Sequence, residues 1–428
     1  MPTYLDDPVP QAPAPERSGL SLWIFTAETL LTGFCIFMFT NALWAPLFAP
    51  DSAGSEESAW LRLLWLPVYG LTLLLLLLRL PMFMRALPAV FISGILIGLC
   101  YASLFWSIAP DVTSRRSLAL AFTTLFGLYL GTRYKGRDLT QIVALTFAVL
   151  AALSLLVSIG YPKMGVHDDI NAGAWRGLWQ EKNQMAAMMT LGFIAANASA
   201  LMVPERRKFW IGVAVLIFFM VVMSRSKTSL LACMLSLAAL PVLMALRRGG
   251  VLSILFVWGA TTLSLIGGTV FFLMPEVVLK ALGKDPTLTG RTDIWDSLLR
   301  LSDQAPWLGY GYKAFWTPDS IPAAVVREET GWKVPSAHNG WLDLLVQLGW
   351  VGVLLFGLCL VVTFFCALFR FERVKDGYFS VLILCLFSFL ILSESFILSQ
   401  NNLVWVLFVC VMTRLTANQL QDDGQGQK

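Results

Sequence analysis

His338 is one of only two histidines in 428 residues. It stands in Ser336-Ala337-His338-Asn339-Gly340, where a long polar stretch gives way to a long apolar run. That position puts a titratable imidazole at a membrane face. His338 and Asn339 could simply cap the helix that follows. Their company argues for more: Glu394, in Ser393-Glu394-Ser395, is an acid set between two apolar runs. An ionisable group at such depth needs a partner. An imidazole held by a carboxylate is a workable general base, with one ring nitrogen oriented and the other left to take a proton.

Cations near the same face suggest what such a base would act beside. Ser224-Arg225-Ser226-Lys227-Thr228 joins two apolar runs with hardly any loop, so Arg225 and Lys227 lie at or just below the surface, where charge is expensive. They either snorkel to lipid phosphate or hold a bound anion, and the planar fork of a guanidinium suits phosphate oxygens. Arg291, in Gly290-Arg291-Thr292-Asp293-Ile294-Trp295, opens an expected amphipathic helix with Ile294, Leu298, Leu299 and Leu301 on one side and Thr289 as cap. The helix N-terminus would add its own partial positive charge. Trp175-Arg176-Gly177-Leu178-Trp179-Gln180-Glu181-Lys182-Asn183 precedes a further apolar run. Its tryptophans suit a membrane interface, while Arg176, Lys182 and Asn183 offer donors to sugar hydroxyls or phosphate. His167, next to Asp168 and Asp169, reads as an exposed loop residue. Gly309-Tyr310-Gly311-Tyr312-Lys313-Ala314-Phe315 reads as a tight turn packed on the membrane surface.

The elements that must position these groups follow from composition. Hydrophobic residues make up 57% of the chain and charged residues 14%, with a mean hydropathy of +0.70, which excludes a water-soluble globule of this size. The expectation is an all-α polytopic integral membrane protein of about 12 transmembrane helices. Runs that could span lie near 20–48, 60–79, 88–108, 117–133, 139–161, 185–203, 209–224, 227–246, 251–274, 340–369, 378–393 and 396–414. In domain terms this gives a disordered cytoplasmic N-terminus (1–19), helices 1 to 9 (20–274), a periplasmic loop with short helices and active-site residues (275–339), helices 10 to 12 (340–414) and a disordered tail (415–428). The first run is too long for a cleaved signal and is expected to stay as a span.

Alternate short loops carry Arg79 and Arg85, then Arg133, Lys135 and Arg137, then Arg206, Arg207 and Lys208, then Arg247 and Arg248, then Arg370, Arg373 and Lys375. The positive-inside rule makes these loops and both termini cytoplasmic. The other set, which includes 110–116, 161–182, 224–228, 275–337 and Glu394, then faces outward. Cys35, Cys100, Cys233, Cys359, Cys366, Cys385 and Cys410 all lie in apolar runs without metal-ligand spacing and read as small buried hydrophobes.

Taken in order, Ser224 to Thr228, Gly290 to Trp295, Gly309 to Phe315, and His338-Asn339-Gly340-Trp341-Leu342-Asp343 with Gly349 and Gly352 resemble the O-antigen ligase and Wzy-type polymerase superfamily. Trp175 to Asn183 and Ser393-Glu394-Ser395 look closest to its exopolysaccharide-polymerase (ExoQ-like) branch. The resemblance covers roughly residues 170 to 400. It implies a GT-C-type, metal-independent glycosyltransferase of the bacterial inner membrane that uses undecaprenyl-pyrophosphate-linked glycan on the periplasmic face. It implies a saccharide acceptor, the lipid bilayer, and a flippase and chain-length regulator as partners, with no cofactor and no nucleic acid. By the same resemblance, Arg225 and Arg291 would bind pyrophosphate and His338 would stand beside the acceptor hydroxyl. Lys227 departs from the usual pattern, and Glu394 as partner of His338 follows from its position. A ligase that passes finished glycan to lipid A core or to protein is the runner-up, and a secondary transporter is a further alternative.

Overall fold

The computed structural model describes residues 19–43, 47, 59–84, 86–168, 171–251, 291–370 and 377–416, with scattered positions between 253 and 262. Residues 1–18 and 417–428 of the expected termini, the 51–58 segment, Asp169, most of the ninth apolar run, Thr289 and Gly290 lie outside the described residues.

Thirteen helices carry the architecture of the described chain: α1 (Gly19–Phe39), α2 (Ala59–Leu77), α3 (Leu87–Ala102), α4 (Pro110–Arg133), α5 (Gly136–Gly160), α6 (Lys182–Met202), α7 (Arg207–Met223), α8 (Lys227–Arg248), α9 (Arg291–Ser302), α10 (Ile321–Thr330), α11 (Gly340–Arg370), α12 (Gly377–Leu390) and α13 (Leu403–Thr416). The sole β pairing among the described residues is one isolated bridge, Val166 to Trp175. Six apolar helices are long enough to cross a bilayer, and several others are apolar but shorter. The chain is a multi-pass membrane protein whose described elements are helices.

The first helix ends at Phe39, short of the expected run to 48, and two further boundaries differ from expectation. Residues 110–116, expected as a loop, are the first turns of α4: Pro110 supplies a pre-set φ at the helix start, Asp111 lies in the first turn, and Thr113 N–H reaches Ala109 O at 3.0 Å. Residues 396–402, expected inside the last span, form an irregular turn, and α13 begins only at Leu403. Asn402 ends the turn by accepting Val404 N–H on its side chain at 2.8 Å.

Packing is densest around α6 and α13, which are buried on nearly every side. Small residues allow this, because helices in lipid associate by close backbone approach rather than by expelling water. Gly127 and Gly131, four apart on α4, face α13. A Cβ at Gly127 would lie 2.8 Å from Val406 O, and one at Gly131 would lie 2.6 Å from Thr413 Cβ. Gly192 on α6 is likewise pressed on Phe147 of α5.

One end of the bundle holds a buried carboxylate. Glu28 of α1 accepts bonds from Arg133 (Nη2, 2.7 Å), Arg79 (Nη2, 2.8 Å) and the Tyr129 hydroxyl (3.1 Å). Arg79 and Arg133 therefore have a second role besides loop charge: they fasten α1 to α4 and to the segment after α2. Satisfied from three sides, the carboxylate can tolerate its burial.

Candidate functional site

The opposite end of the bundle is bound together by loop contacts. Asn41 donates to Asn401 O at 2.8 Å, Trp179 Nε1–H to Thr40 O at 2.8 Å, Trp175 N–H to Met223 O at 3.0 Å, and Ile108 N–H to Tyr310 O at 3.1 Å. Seven described non-glycine residues have a left-handed φ: Asn41, Leu43, Arg225, Lys313, His338, Leu398 and Asn401. All seven fall at this end. Such conformations are held only where surrounding contacts over-determine them, and they gather at functional sites.

A break in α11 builds much of the scaffold. Gly349 has φ 62° and ψ −165°, so the helical bonding pattern fails there. The freed carbonyls of Val346 and Gln347 accept Tyr310 N–H and Gly311 N–H, both at 2.9 Å. The amides of Trp350 and Val351 donate instead to Pro306 O (2.8 Å) and Trp307 O (3.2 Å). The segment 306–311 is thus spliced into the helix. A Cβ at Gly349 would come within 2.2 Å of Trp307, so only glycine fits both the conformation and the approach. The aromatic turn expected on the membrane surface is instead docked into this gap. Its Tyr312 is buried, with the hydroxyl donating to Leu398 O at 2.6 Å.

The loop around α9 and α10 has its own small core, in which Ile294, Leu298, Phe315, Val326 and Ala337 are buried against Val346 of α11. Leu299, expected on the same side, is 47% exposed. Five residues past Ile294, it lies about 140° around the helix from it. The two helices are also clamped by Glu329, which accepts from the Ser297 hydroxyl and from Arg300 Nη2 at 2.6 Å. These partners hold its carboxyl below the usual carboxylate range.

His338 follows directly from this scaffold. Trp295 Nε1–H on α9 donates to Ala337 O at 2.9 Å, while Gly340 N–H reaches Ile391 O at 2.8 Å. Asp343, a buried acid one turn into α11, accepts Ala337 N–H (3.3 Å) and Trp316 Nε1–H (2.6 Å) on one oxygen. The residues that flank the histidine are fixed from three directions.

Three of the expected residues come together here. Glu394 Oε2 lies 3.7 Å from His338 Nδ1, and Glu394 Oε1 lies 3.9 Å from Arg291 Nη2. Arg291 Nη1 also donates to Ser393 O at 3.0 Å. All three side chains are about a quarter exposed, at 26–27%. His338 Nδ1 is itself buried and makes no hydrogen bond among the described residues. The carboxylate stands between a guanidinium and an imidazole and can hold either in place.

The remaining expected residues take other places at this end. Arg225 occupies the turn between α7 and α8, and its Nη1 donates to Ala172 O at 3.2 Å. Lys227 is the exposed first residue of α8. Asn339 uses its side-chain oxygen to cap α11, accepting Trp341 N–H (3.0 Å) and Leu342 N–H (3.2 Å). Arg176 folds back on its own loop, donating to Met164 O (2.8 Å) and Lys163 O (3.0 Å). Lys182 is the partly buried first residue of α6, and Asn183 beside it is exposed. His167, expected to be exposed, is 3% exposed, and its Nε2 accepts Lys182 N–H at 3.2 Å. The bridge between Val166 and Trp175 folds it inward.

The multi-pass helical bundle defines a membrane protein, and its polar, strained, cation-bearing end is the candidate site. Residues 212–357 match the family described as O-Antigen ligase. The chain is also similar to the exopolysaccharide production protein ExoQ of Rhizobium meliloti (strain 1021), with 28% identity over 288 residues. That alignment covers 63% of this chain and 63% of the relative's length. The motif-based resemblance to the O-antigen ligase and ExoQ-like family is thereby supported on two counts. The family match takes in Arg225, Lys227, Arg291, His338 and Asn339 and ends before Glu394.

Proposed function

We propose that this protein is a polysaccharide polymerase of the bacterial inner membrane. It transfers glycan from an undecaprenyl pyrophosphate carrier to a saccharide hydroxyl at the periplasmic face. The observation that carries the reading is the convergence of Arg291, Glu394 and His338 from three separate elements. The family match and the similarity to an exopolysaccharide production protein support the polymerase or ligase class. The far end of the bundle supports the orientation, because Arg79, Arg133, Arg137, Arg247, Arg248 and Arg370 lie there and short cationic loops stay cytoplasmic.

In this mechanism the acceptor hydroxyl attacks the anomeric carbon of the donor. The new C–O bond forms as the bond from that carbon to the phosphate oxygen breaks. The electron pair leaves with the polyprenyl pyrophosphate, and a direct displacement inverts the centre. Negative charge grows on the leaving group, where Arg291 and Arg225 stabilise it with fixed donors and no divalent ion. Lys227 adds positive charge at the same end, and Arg176, Lys182, Asn183 and the amide of Asn339 offer further contacts to the sugars. The hydroxyl proton passes to His338 Nε2, while Glu394 faces Nδ1 and favours the imidazolium that results.

A ligase is the second reading, favoured by the description of the matched family. The glycan of a deletion strain separates the two. Single repeat units left on the carrier are expected for a polymerase. Full-length polymer that fails to reach its acceptor would mean a ligase, and an unchanged glycan would set both aside.

A further inference from the structure

His167 is the second of the two histidines, and the transfer chemistry leaves it unused. Its side chain is buried, out of reach of a substrate. What it touches is the start of α6. The first amides of a helix have no partner within it, and Glu181, in the cap position of α6, makes no side-chain cap bond. His167 Nε2 takes that task by accepting Lys182 N–H at 3.2 Å. Glu181 Oε2 lies farther from the same nitrogen, at 4.0 Å. An accepting ring nitrogen carries no proton, so the imidazole acts here as a neutral acceptor.

The backbone of His167 makes a second connection. Its N–H donates to Ala174 O and its carbonyl accepts Gly173 N–H, both at 2.9 Å. With the bridge from Val166 to Trp175, these bonds fasten residues 166–167 to residues 173–175. The fastened stretch meets Arg225. Ala172 O accepts from Arg225 Nη1 at 3.2 Å, and a Cβ on Gly173 would lie 3.2 Å from Nη2. Gly173 has a φ of 79°, so this approach to the guanidinium is made on a conformation that favours glycine. Trp175 N–H, donating to Met223 O at 3.0 Å, ties the same stretch to the end of α7, two residues before Arg225. One buried ring thus joins the carbonyl that holds Arg225 to the helix start where Lys182 and Asn183 stand.

We propose that His167 is a positioning residue for the donor pyrophosphate: its imidazole fastens the 171–175 stretch to α6 and so fixes the direction of the Arg225 guanidinium. An arginine already held in place loses less freedom on binding, and affinity rises accordingly. The link to the donor rests on the role of Arg225 in the glycosyl-transfer reading; the hold on the 171–175 stretch does not.

Purified full-length protein in detergent is titrated with undecaprenyl pyrophosphate, while hydrogen exchange read by mass spectrometry follows peptides covering 171–185. His167→Ala is expected to bind the carrier about tenfold more weakly and to exchange faster in those peptides. His167→Gln offers an oxygen to the Lys182 amide and should recover most of both. His167→Asn is too short to reach that amide; it should behave like the alanine variant, and it carries the test if the alanine variant fails to elute as a folded monodisperse species. Arg225→Ala should weaken binding to a similar degree. Adding His167→Ala to it should cost less than about threefold more, because the ring acts through the arginine. Additive losses, a glutamine variant no better than alanine, or unchanged exchange in His167→Ala and His167→Asn would overturn the inference. Normal binding by Arg225→Ala beside faster exchange in His167→Ala would leave the hold in place and count against the donor role of Arg225 instead.

Discussion

Arg291, Glu394 and His338 form a chain in which the carboxylate faces both the guanidinium and the imidazole, at 3.9 and 3.7 Å. The proposed task of Arg291 depends on shape as well as charge, because its second nitrogen is spent on Ser393 O. Arg291→Lys keeps the charge and loses the fork, so polymer output is expected to fall about tenfold or more while the protein still inserts and folds. Wild-type output from that variant would reduce Arg291 to a lipid contact. Asp343 makes a different kind of contribution, since it touches the loop of His338 and not the site itself. Asp343→Ala would strip acceptors from Trp316 and Ala337 at once and is expected to cost about 1–3 kcal/mol of stability, with activity lost in parallel. Asp343→Asn can still offer one oxygen to both donors and should restore most of the melting temperature. Equal damage from both substitutions would show that the negative charge, rather than the acceptor, is what matters.

At the scale of elements, the break at Gly349 is the feature on which the site most depends. Gly349→Ala forces a Cβ into Trp307 and into an unfavourable φ, so the 306–311 segment should detach. The expected signs are a lower melting temperature and protease sensitivity between 303 and 320. An alanine variant as stable and resistant as wild type would mean that the splice is not required. Where charge meets apolar runs is plain in the amino-acid sequence, and for that reason His338, Glu394 and Arg291 stand out from sequence alone. Most helices are legible too, because hydrophobic runs of this length have few other uses. What stays hidden depends on long-range partners. Asp343 looks like any first-turn acid until Trp316 and Ala337 are found on it. Gly127 and Gly131 carry a recognisable four-residue spacing, yet only α13 lying against them explains it. Asn339 is legible as a cap from its position before a helix, and its geometry bears out that part of the reading. His167 departs from expectation because its acidic neighbours suggest solvent, while the bridge from Val166 to Trp175 turns it inward.

For the molecule as a whole, the two ends of the bundle have opposite characters. One is ringed with arginines and locked by Glu28; the other gathers strained backbone and the His338 loop. If the second end faces the periplasm, cysteines placed at Thr292 and Ser336 should react with a membrane-impermeant thiol reagent in intact spheroplasts. Labelling only after the membrane is opened would reverse the topology. A reaction driven by fixed guanidiniums should also persist in excess chelator, and loss of activity that magnesium or manganese restores would contradict it.

Whether His338 takes the acceptor proton in a glycosyl transfer is tested most directly by reconstitution. Purified protein is supplied with a lipid-linked repeat unit, and the products are separated by size. The wild type is expected to produce a ladder of lengthening glycan, and His338→Ala is expected to produce none while still binding the lipid-linked donor. An undiminished ladder from His338→Ala would contradict the proposed role of the histidine.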